Sequence, residues 1–317
     1  MRIVYALPPQ TTASGGVKVS YRHSEILNSL GVDSYIYHPA DESFSCQWFE
    51  HKARLIGTAA LNPATDLIVL PEIWASVWVE KLKAMGFKVC IFVQNAYLTF
   101  ANMNPDDPKA LEKAYRNADL VTVISDDSMH YMQDLCGVDP AKMVRQIYSI
   151  NTQLFRPGNK EKKITYMPRK MPEHTARVIP ALERRLKPGW KIVPIDGKSE
   201  REVAKELSTS LIFLAFSGFE GLPVPPVEAA IAGNAVIGYH GEGGREYWWR
   251  PNFTEVPVGD IQAFVFRVEE KISEMESGQL ELGRMNQVIQ KLTEMFSPAS
   301  ELQAVQTFKQ AAQALFQ

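Results

Sequence analysis

The chain has 317 residues, of which 45% are hydrophobic and 22% are charged, enough for about two globular domains. Its opening apolar run is too short for a signal peptide, and no apolar stretch approaches the ~20 residues that cross a bilayer. The three cysteines, Cys46, Cys90 and Cys136, are far apart and lack the spacing of metal ligands. We therefore expect a reduced, cytoplasmic protein.

Charge is unevenly distributed, although the formal net charge is only −2. Between Lys142 and Lys205 there are 16 lysines and arginines against 6 aspartates and glutamates. Such a basic segment favours an anion site, and it leaves open a peripheral contact with the anionic inner face of a membrane. Solvated helix faces explain the same excess, so charge by itself does not decide between these interpretations.

Short apolar runs alternate with helical patterns from the N-terminus onward. Runs rich in β-branched and aromatic residues predict five strands: "RIVYAL" (2–7), "DSYIY" (33–37), "DLIVL" (66–70), "KVCIFV" (88–93) and "LVTVI" (120–124). A helix is predicted from the glycine pair that precedes Val17, with Tyr21, Leu27 and Leu30 on the same side. Further helices are predicted near 73–85, 108–117 and 126–135.

A polar connector, "NTQLFRPGNKEKK" (151–163), interrupts this pattern before it resumes. The second series predicts strands at "ITYM" (164–167), "KIVPI" (191–195), "LIFLAF" (211–216), "AVIGY" (235–239) and "TEVPV" (254–258). The helices of this series are predicted near 172–187, 199–209, 225–233 and 260–276, and a final helix covers 297–317.

Strands that alternate with helices form parallel sheets through right-handed crossovers. The two series therefore predict an α/β protein with two doubly wound, Rossmann-like domains facing across a cleft. We assign 1–155 to an N-terminal domain and 156–296 to a C-terminal domain. The helix at 297–317 is a candidate to pack back on the N-terminal domain. Ligands of such sheets bind beyond the carboxyl ends of the strands, so the loops there are the candidate sites.

Two of these loops are rich in glycine. "TASGGVK" (12–18) follows the first strand, and Gly15 and Gly16 would present free helix N–H groups to an anion. "HGEGGREY" (240–247) follows the strand "AVIGY", and Gly243 and Gly244 could form a backbone nest around a ligand. A generic turn and a flexible loop explain the same glycines, so these alternatives stay open.

Two adjacent cations, Arg169 and Lys170, follow the first strand of the second series in "YMPRKM" (166–171). A pair of cations at the carboxyl end of a strand suits a diphosphate, since an arginine can bind phosphate through two hydrogen bonds. Two solvated cations in a turn are the competing interpretation.

Two glutamates, Glu220 and Glu228, lie eight positions apart in "FEGLPVPPVEAAIAGNAVIG" (219–238). Glu228 falls in the first turn of a helix opened by Pro225 and Pro226, where the helix dipole alone explains an acidic residue. Glu220 directly follows an apolar strand, so the dipole does not account for it. Carboxylates in such a place accept hydrogen bonds from paired hydroxyls, as on a ribose or another sugar.

The stretch at 219–239 resembles the signature of the retaining glycosyltransferases of family four, which have the GT-B fold and commonly carry "EGFGLPPLEAMACG". The alignment needs no gap and places Glu220 and Glu228 on the two glutamates of that family. Other segments are similar in the same order: "SGGVKV", "VISDDS", "INTQLFRP", "YMPRK" and "GYHGEGGREYW". The resemblance covers nearly the whole chain and is most specific over 164–247.

The chain also departs from the family pattern. Pro223 and Val224 replace a glycine and a leucine, and Asn151 stands where an aspartate is common. The lysine expected about five residues after Arg169 is missing, because His174 occupies that place. Pro223 stiffens the loop expected to lie near the sugar, and the missing lysine bears on how the phosphates of a donor would be neutralised.

The resemblance implies a glycosyltransferase that moves a sugar from a nucleotide-sugar donor to a hydroxyl acceptor, with retention and without a metal or another cofactor. It implies that Glu228 holds the ribose and that Glu220 faces the sugar. Arg169 and Lys170, with the amides of Gly15, Gly16, Gly243 and Gly244, would then bind the diphosphate. A sugar-nucleotide epimerase and a catalytically weak nucleotide-sugar-binding partner in polysaccharide synthesis remain alternatives. No nucleic-acid partner is expected.

Overall fold

The computed structural model describes residues 1–12, 14–101, 107, 109–279 and 281–317. The chain divides into two compact units. Unit 1 consists of Met1–Tyr148 together with Pro298–Gln317, and unit 2 consists of Ser149–Ser297. Both ends of the chain therefore contribute to the first unit.

Unit 1 is an α/β unit with a single parallel sheet. Its four inner strands are buried on both faces and read as nearly continuous apolar runs, as expected of a parallel sheet. In chain order its elements are β1 (Arg2–Ala6), α1 (Gly15–Ser29), β2 (Ser34–Tyr37), β3 (Asp66–Pro71), α2 (Ala75–Ala84), β4 (Lys88–Val93), α3 (Leu98–Ala101), α4 (Lys109–Asn117), β5 (Leu120–Val123), α5 (Asp126–Cys136) and β6 (Met143–Arg145).

The strand order in this sheet is β2-β1-β3-β4-β5-β6. Beyond β2, the backbone at Leu55 forms an isolated parallel bridge with Ile36, held by N–H···O bonds of 2.8 and 3.0 Å on either side. Leu55 therefore lies beside the edge strand β2, and among the described residues the pairing on that side of the sheet consists of this one residue pair. The order reverses between β1 and β3, which makes that place the topological switch point of unit 1.

Unit 2 is a second α/β unit, also with one parallel sheet. In chain order its elements are β7 (Glu161–Tyr166), α6 (Pro172–Glu183), β8 (Lys191–Pro194), α7 (Glu200–Thr209), β9 (Ser210–Glu220), α8 (Pro225–Ile231), β10 (Ala235–Glu242), β11 (Phe253–Glu255), α9 (Ile261–Glu276) and α10 (Leu282–Met295). The strand order is β11-β10-β9-β7-β8, so the switch point of unit 2 lies between β7 and β9.

Each unit has its own apolar core. In unit 1, side chains of the sheet pack against helical residues that include Val79, Leu111 and Met132. In unit 2, the sheet packs against residues of α6 and α9 that include Val178 and Phe264. Helix α11 (Pro298–Ala314) returns to unit 1, where it packs on α1 and beside β5 and β6.

All ten predicted strands are present, with bounds that differ by a few residues. Strand β6 and helices α3 and α10 were not predicted. For α10 a signal existed, because Met285, Ile289 and Leu292 recur at the helical spacing of four and seven residues. Within the described ranges, no helix is both long and apolar enough to cross a membrane.

Candidate functional site

The loops that follow β7 and β9 meet at the carboxyl edge of the sheet in unit 2. Lys170 follows β7, Glu220 ends β9, and the Nζ atom of Lys170 donates to Oε2 of Glu220 at 2.8 Å. Both side chains are about one-quarter exposed, so the ion pair remains open to solvent. Because this edge is the switch point of unit 2, the sheet topology places the pair where ligands of doubly wound sheets bind.

A small pocket lies beside this ion pair. It brings together the carboxyl ends of β7 and β9 and the first turn of α8. Its lining residues are Met167, Lys170, Phe213, Leu214, Ala215, Phe216, Ser217, Glu220, Pro225 and Pro226. Two of the predicted site residues, one from each loop, thus line one concave surface.

Backbone strain is concentrated in the same region of unit 2. Among the described non-glycine residues, only Met171 and Glu242 have a positive φ, at 44° and 64°. Met171 is the N-cap of α6 directly after Lys170, and Glu242 ends β10. Left-handed conformations of this kind cost of order 1–3 kcal/mol and cluster at functional sites. Their position supports assigning function to this edge.

The glycines after β10 have a packing role that the sequence did not reveal. A Cβ atom on Gly243 would lie 1.8 Å from the carbonyl oxygen of Gly221, and one on Gly244 would lie 2.3 Å from that of His240. The N–H of Gly243 donates to the carbonyls of Glu220 and Gly241, at 3.2 and 2.9 Å.

The N–H of Gly244 donates to the carbonyl of His240 at 3.1 Å. A phosphate would therefore have to share the amides of Gly243 and Gly244 with these carbonyls, and their role as phosphate donors stays a prediction. A second hydrogen bond joins the loop after β10 to the loop after β9. The buried Tyr247 hydroxyl donates to the Pro223 carbonyl.

The other predicted residues of unit 2 lie around the pocket. Arg169 is exposed, and no carboxylate among the described residues pairs with it. Glu228 is half-buried in the first turn of α8. His174 lies in the first turn of α6, and its Nδ1 atom is 3.1 Å from the hydroxyl of the buried Tyr239. The histidine that replaces the expected lysine is therefore held by a core tyrosine, whose pKa is raised by burial.

The predicted glycines of unit 1 open helix α1. Gly15 and Gly16 are its first two residues, and the N-cap Ser14 makes no side-chain capping bond. The N–H groups of a first turn have no partner within the helix, so they are available to an anion. A Cβ atom on Gly15 would meet nothing within 4 Å, whereas one on Gly16 would lie 2.1 Å from Oε1 of Gln94.

A buried carboxylate near this turn was missed by the sequence analysis. Glu72 follows β3 directly, and its carboxylate accepts the N–H groups of Asn95 and Gln94 at 3.0 and 3.3 Å. Burial raises the pKa of Glu72 to about 7. A signal was present, because an acidic residue directly after an apolar strand is the pattern that drew attention to Glu220.

In the described ranges, no three or more histidine, cysteine, aspartate or glutamate side chains are grouped so that they could hold a metal ion.

No protein-family model and no curated protein matches this sequence. Solved structures, in contrast, match it over nearly the whole chain. Sucrose-phosphate synthase from Thermosynechococcus elongatus superimposes with a TM-score of 0.74 at 13% identity, covering 99% of each chain. The fold is that of the GT-B glycosyltransferases.

Two further structures with this fold extend the comparison. A glycosyltransferase from Rickettsia africae ESF-5 gives a TM-score of 0.66 at 16% identity, over 99% of this chain and 98% of that one. The pneumococcal O-GlcNAc transferase GtfA, solved with UDP and GlcNAc, gives 0.66 at 11% identity, over 100% of this chain and 99% of that one. The predicted α/β fold is therefore confirmed, while membership of family four stays a prediction.

Proposed function

We propose that this protein is a glycosyltransferase that moves a sugar from a nucleotide-sugar donor to a hydroxyl acceptor. The observation that carries the proposal is the ion pair between Lys170 and Glu220 at the switch point of unit 2. A cation suited to phosphate and a carboxylate suited to sugar hydroxyls meet there, beside the exposed Arg169. The GT-B fold supports this reading of the pair.

Each side chain then has a distinct role in holding the donor. Arg169 and Lys170 bind the diphosphate, assisted by the backbone amides near Gly243. Glu228 accepts hydrogen bonds from the ribose hydroxyls. The positive charge of the two cations replaces the metal that other diphosphate sites use, so the reaction proceeds without one.

The arrangement also accounts for the chemistry of transfer. A bound diphosphate competes with Glu220 for Lys170, which frees the carboxylate to face the sugar. The bond between the anomeric carbon and the diphosphate breaks as the acceptor oxygen bonds to that carbon, and the acceptor proton passes to the leaving phosphate. Groups that stabilise the departing negative charge lower the barrier. Retention of configuration follows if attack occurs on the face that the diphosphate leaves.

Substrate identity is open to direct measurement with the full chain. UDP, GDP, dTDP and ADP are screened by thermal shift, since a ligand that binds only the folded state raises the melting temperature. The sugar nucleotide of the base that binds is then incubated with the protein, without an acceptor and with a panel of glycan, lipid-linked and small-molecule acceptors. Transfer or slow hydrolysis supports the proposal.

Other outcomes would replace the proposal. A changed sugar on an intact nucleotide indicates an epimerase, and binding without turnover on any acceptor indicates a nucleotide-sugar-binding partner. The phosphate role is tested with Arg169→Ala, which should weaken binding of the nucleoside diphosphate much more than binding of the nucleoside. Arg201→Ala, at an exposed arginine in the first turn of α7, is the matched control. Equal losses for both ligands would contradict the assigned role.

A further inference from the structure

The helix that carries Glu228 is held at its far end by a half-buried lysine. Lys160 directly precedes β7 in unit 2, and its Nζ atom donates to three backbone carbonyls. The acceptors are Ala232 at 2.6 Å, Ser210 at 2.7 Å and Leu207 at 3.3 Å. Ala232 is the C-cap of α8, Leu207 is in the last turn of α7, and Ser210 opens β9. One ammonium group thus joins three elements of unit 2.

A cation suits this place because carbonyl groups converge on it. The last carbonyls of a helix have no partner within the helix, and the C-terminal end of a helix favours positive charge. In the described part of the chain, no carboxylate pairs with Lys160. The side chain is also closely packed, since a Cβ atom on Gly233 would lie 3.3 Å from its Cε atom. The bonds of Lys160 therefore serve to fix the backbone around it.

The carbonyl that Lys160 holds on α8 is one helical turn away from Glu228. The N–H of Ala232 donates to the Glu228 carbonyl at 2.9 Å. The buried Asn234 side chain holds the same end of the helix, because it donates to the Ala229 carbonyl at 2.8 Å. Helix α8 has only seven residues, and its first turn contains Glu228 and borders the pocket. A displacement of the last turn is therefore transmitted to the first.

We propose that Lys160 is a positioning residue that holds α8 in the place where Glu228 accepts the ribose hydroxyls of the donor. The inference rests on the proposed function, because it needs Glu228 to bind the ribose. Lys160 does not touch the ligand in this scheme, since its ammonium group is used by the three carbonyls. Its effect should therefore appear in the recognition of the ribose hydroxyls and not in the binding of the diphosphate.

The charge of Lys160 gives the proposal a distinctive readout. Burial, together with the nearby positive charge of Lys163, lowers the pKa of Lys160 to about 7. Below that pH the ammonium group offers three N–H donors to three carbonyls, whereas the neutral amine has two donors and a lone pair. One carbonyl then loses its bond. Recognition of the ribose should therefore weaken as the pH rises through about 7.

The other groups around Lys160 do not explain such a change. The charged side chains nearby are Lys163 of β7 and Glu206 of α7, which pair with each other at 2.9 Å. Lys163 holds the pKa of Glu206 below its ordinary value, so that carboxylate stays ionised above pH 6. Residues 207–212 and 229–234, which supply the three carbonyls, contain no ionisable side chain. A change at this place between pH 6 and 8.5 therefore comes from Lys160.

The experiment uses calorimetry to compare the ribonucleoside diphosphate that gives the largest thermal shift with its dideoxy analogue, which lacks both ribose hydroxyls. The base and the diphosphate are the same in both ligands, so the ratio of the two affinities isolates the contribution of the hydroxyls. In the wild type this ratio should be roughly tenfold at pH 6 and fall towards one at pH 8.5.

Two lysine variants accompany the wild type. Lys160→Met keeps the apolar stem of the side chain and removes its donors, so the ratio should be low at every pH. Lys162→Met is the matched control at an exposed lysine of β7, and it should match the wild type. Adding Lys160→Met to Glu228→Ala should weaken binding of the ribonucleoside diphosphate no further, because both changes remove the same contact.

The outcomes separate this inference from the proposed function. A wild-type ratio that stays high at pH 8.5, or a wild-type ratio in a folded Lys160→Met, would overturn the inference while leaving the proposed function intact. The pH series needs no variant, so the test stands even if Lys160→Met does not fold. A wild-type ratio near one at pH 6 would overturn both the ribose role of Glu228 and the inference. A wild type that binds no nucleoside diphosphate would overturn the proposed function.

Discussion

Glu220 forms an ion pair with Lys170, and this pair affects the stability and the activity that we expect when Glu220 is replaced. Glu220→Gln removes the ion pair with Lys170, but a pair this exposed contributes only about 0–1 kcal/mol to folding. We expect an unchanged melting temperature and a nucleotide affinity near that of the wild type. Turnover should fall, because a carboxylate beside the sugar acts on the positive charge that develops at the anomeric carbon.

The measurement is kcat for sugar-nucleotide hydrolysis or transfer, taken beside the affinity for the nucleoside diphosphate. Lys170→Met is the matched variant, since it breaks the same ion pair from the other side but should act on affinity instead. A wild-type kcat in Glu220→Gln would show that the residue only completes the turn between β9 and α8.

The buried side chain of His23 should make the free energy of unfolding depend on pH. It is buried on α1, and burial lowers its pKa to about 4, so it is neutral at pH 7 despite lying 3.9 Å from Glu301. Between pH 6.5 and 4 the unfolded chain binds a proton here that the folded chain does not. The free energy of unfolding should therefore fall by about 3 kcal/mol as the pH drops through that window.

Denaturant unfolding at pH 7, 5.5 and 4 measures this effect. His23→Gln should lose less stability than the wild type over that range, whereas His130→Gln, at an exposed position on α5, should lose as much. A His23→Gln variant with the same pH dependence as the wild type would refute the assignment.

At the scale of the elements, the loops after β9 and β10 should move together, because their backbones are in close contact at Gly221 and Gly243. Gly243→Ala would drive a Cβ atom into the Gly221 carbonyl, so the two loops must separate. Overpacking of this kind costs about 1–3 kcal/mol. Gly283→Ala is the control in the same unit, since a Cβ atom there meets nothing within 4 Å and alanine favours the helix α10.

The expected outcome is a lower melting temperature for Gly243→Ala, with a loss of turnover larger than the loss of stability explains. The reason is that the moved loop carries the Glu220 carbonyl. Gly283→Ala should be as stable as the wild type or slightly more stable. Full activity in Gly243→Ala would show that the contact between the loops does not position the site.

At the scale of the molecule, unit 1 depends on the last helix of the chain. Val305, Phe308 and Ala312 of α11 are almost fully buried, and Glu301 pairs with Arg22 of α1 at 2.7 Å. Removing a large buried side chain such as Phe308 costs about 3–5 kcal/mol by itself, and losing the whole helix also exposes the surface of α1 that it covers, so the total approaches the stability of a domain.

A chain that ends at Ser297 should therefore unfold unit 1 while unit 2 stays folded. Hydrogen exchange reports this directly, as protection lost in β1 and β3 and kept in β7 and β9. A chain that ends at Ala314 is the control and should keep both sets of amides protected. Full protection of β1 in the shorter chain would show that α11 is dispensable for unit 1.

The prediction from sequence succeeded for the fold because parallel strands carry a local signal. Buried on both faces, β4 and β9 read as continuous apolar runs, and the helical patterns between the runs indicate crossover connections. Glu220 and Lys170 were singled out for the same reason, since each comes within a few residues of the end of such a run. These predictions needed only residues that are close together in the sequence.

Contacts between distant residues were decided only by the tertiary structure. Lys170 and Glu220 are 50 positions apart, and Glu72 and Gln94 are 22 apart. Which loops meet depends on the strand order in each sheet, and the alternation of strands and helices does not encode that order. The close approach of Gly243 to Gly221 likewise depends on how two loops pack. The sequence by itself thus determined which elements form and which residues follow them, while packing decided which of those residues meet.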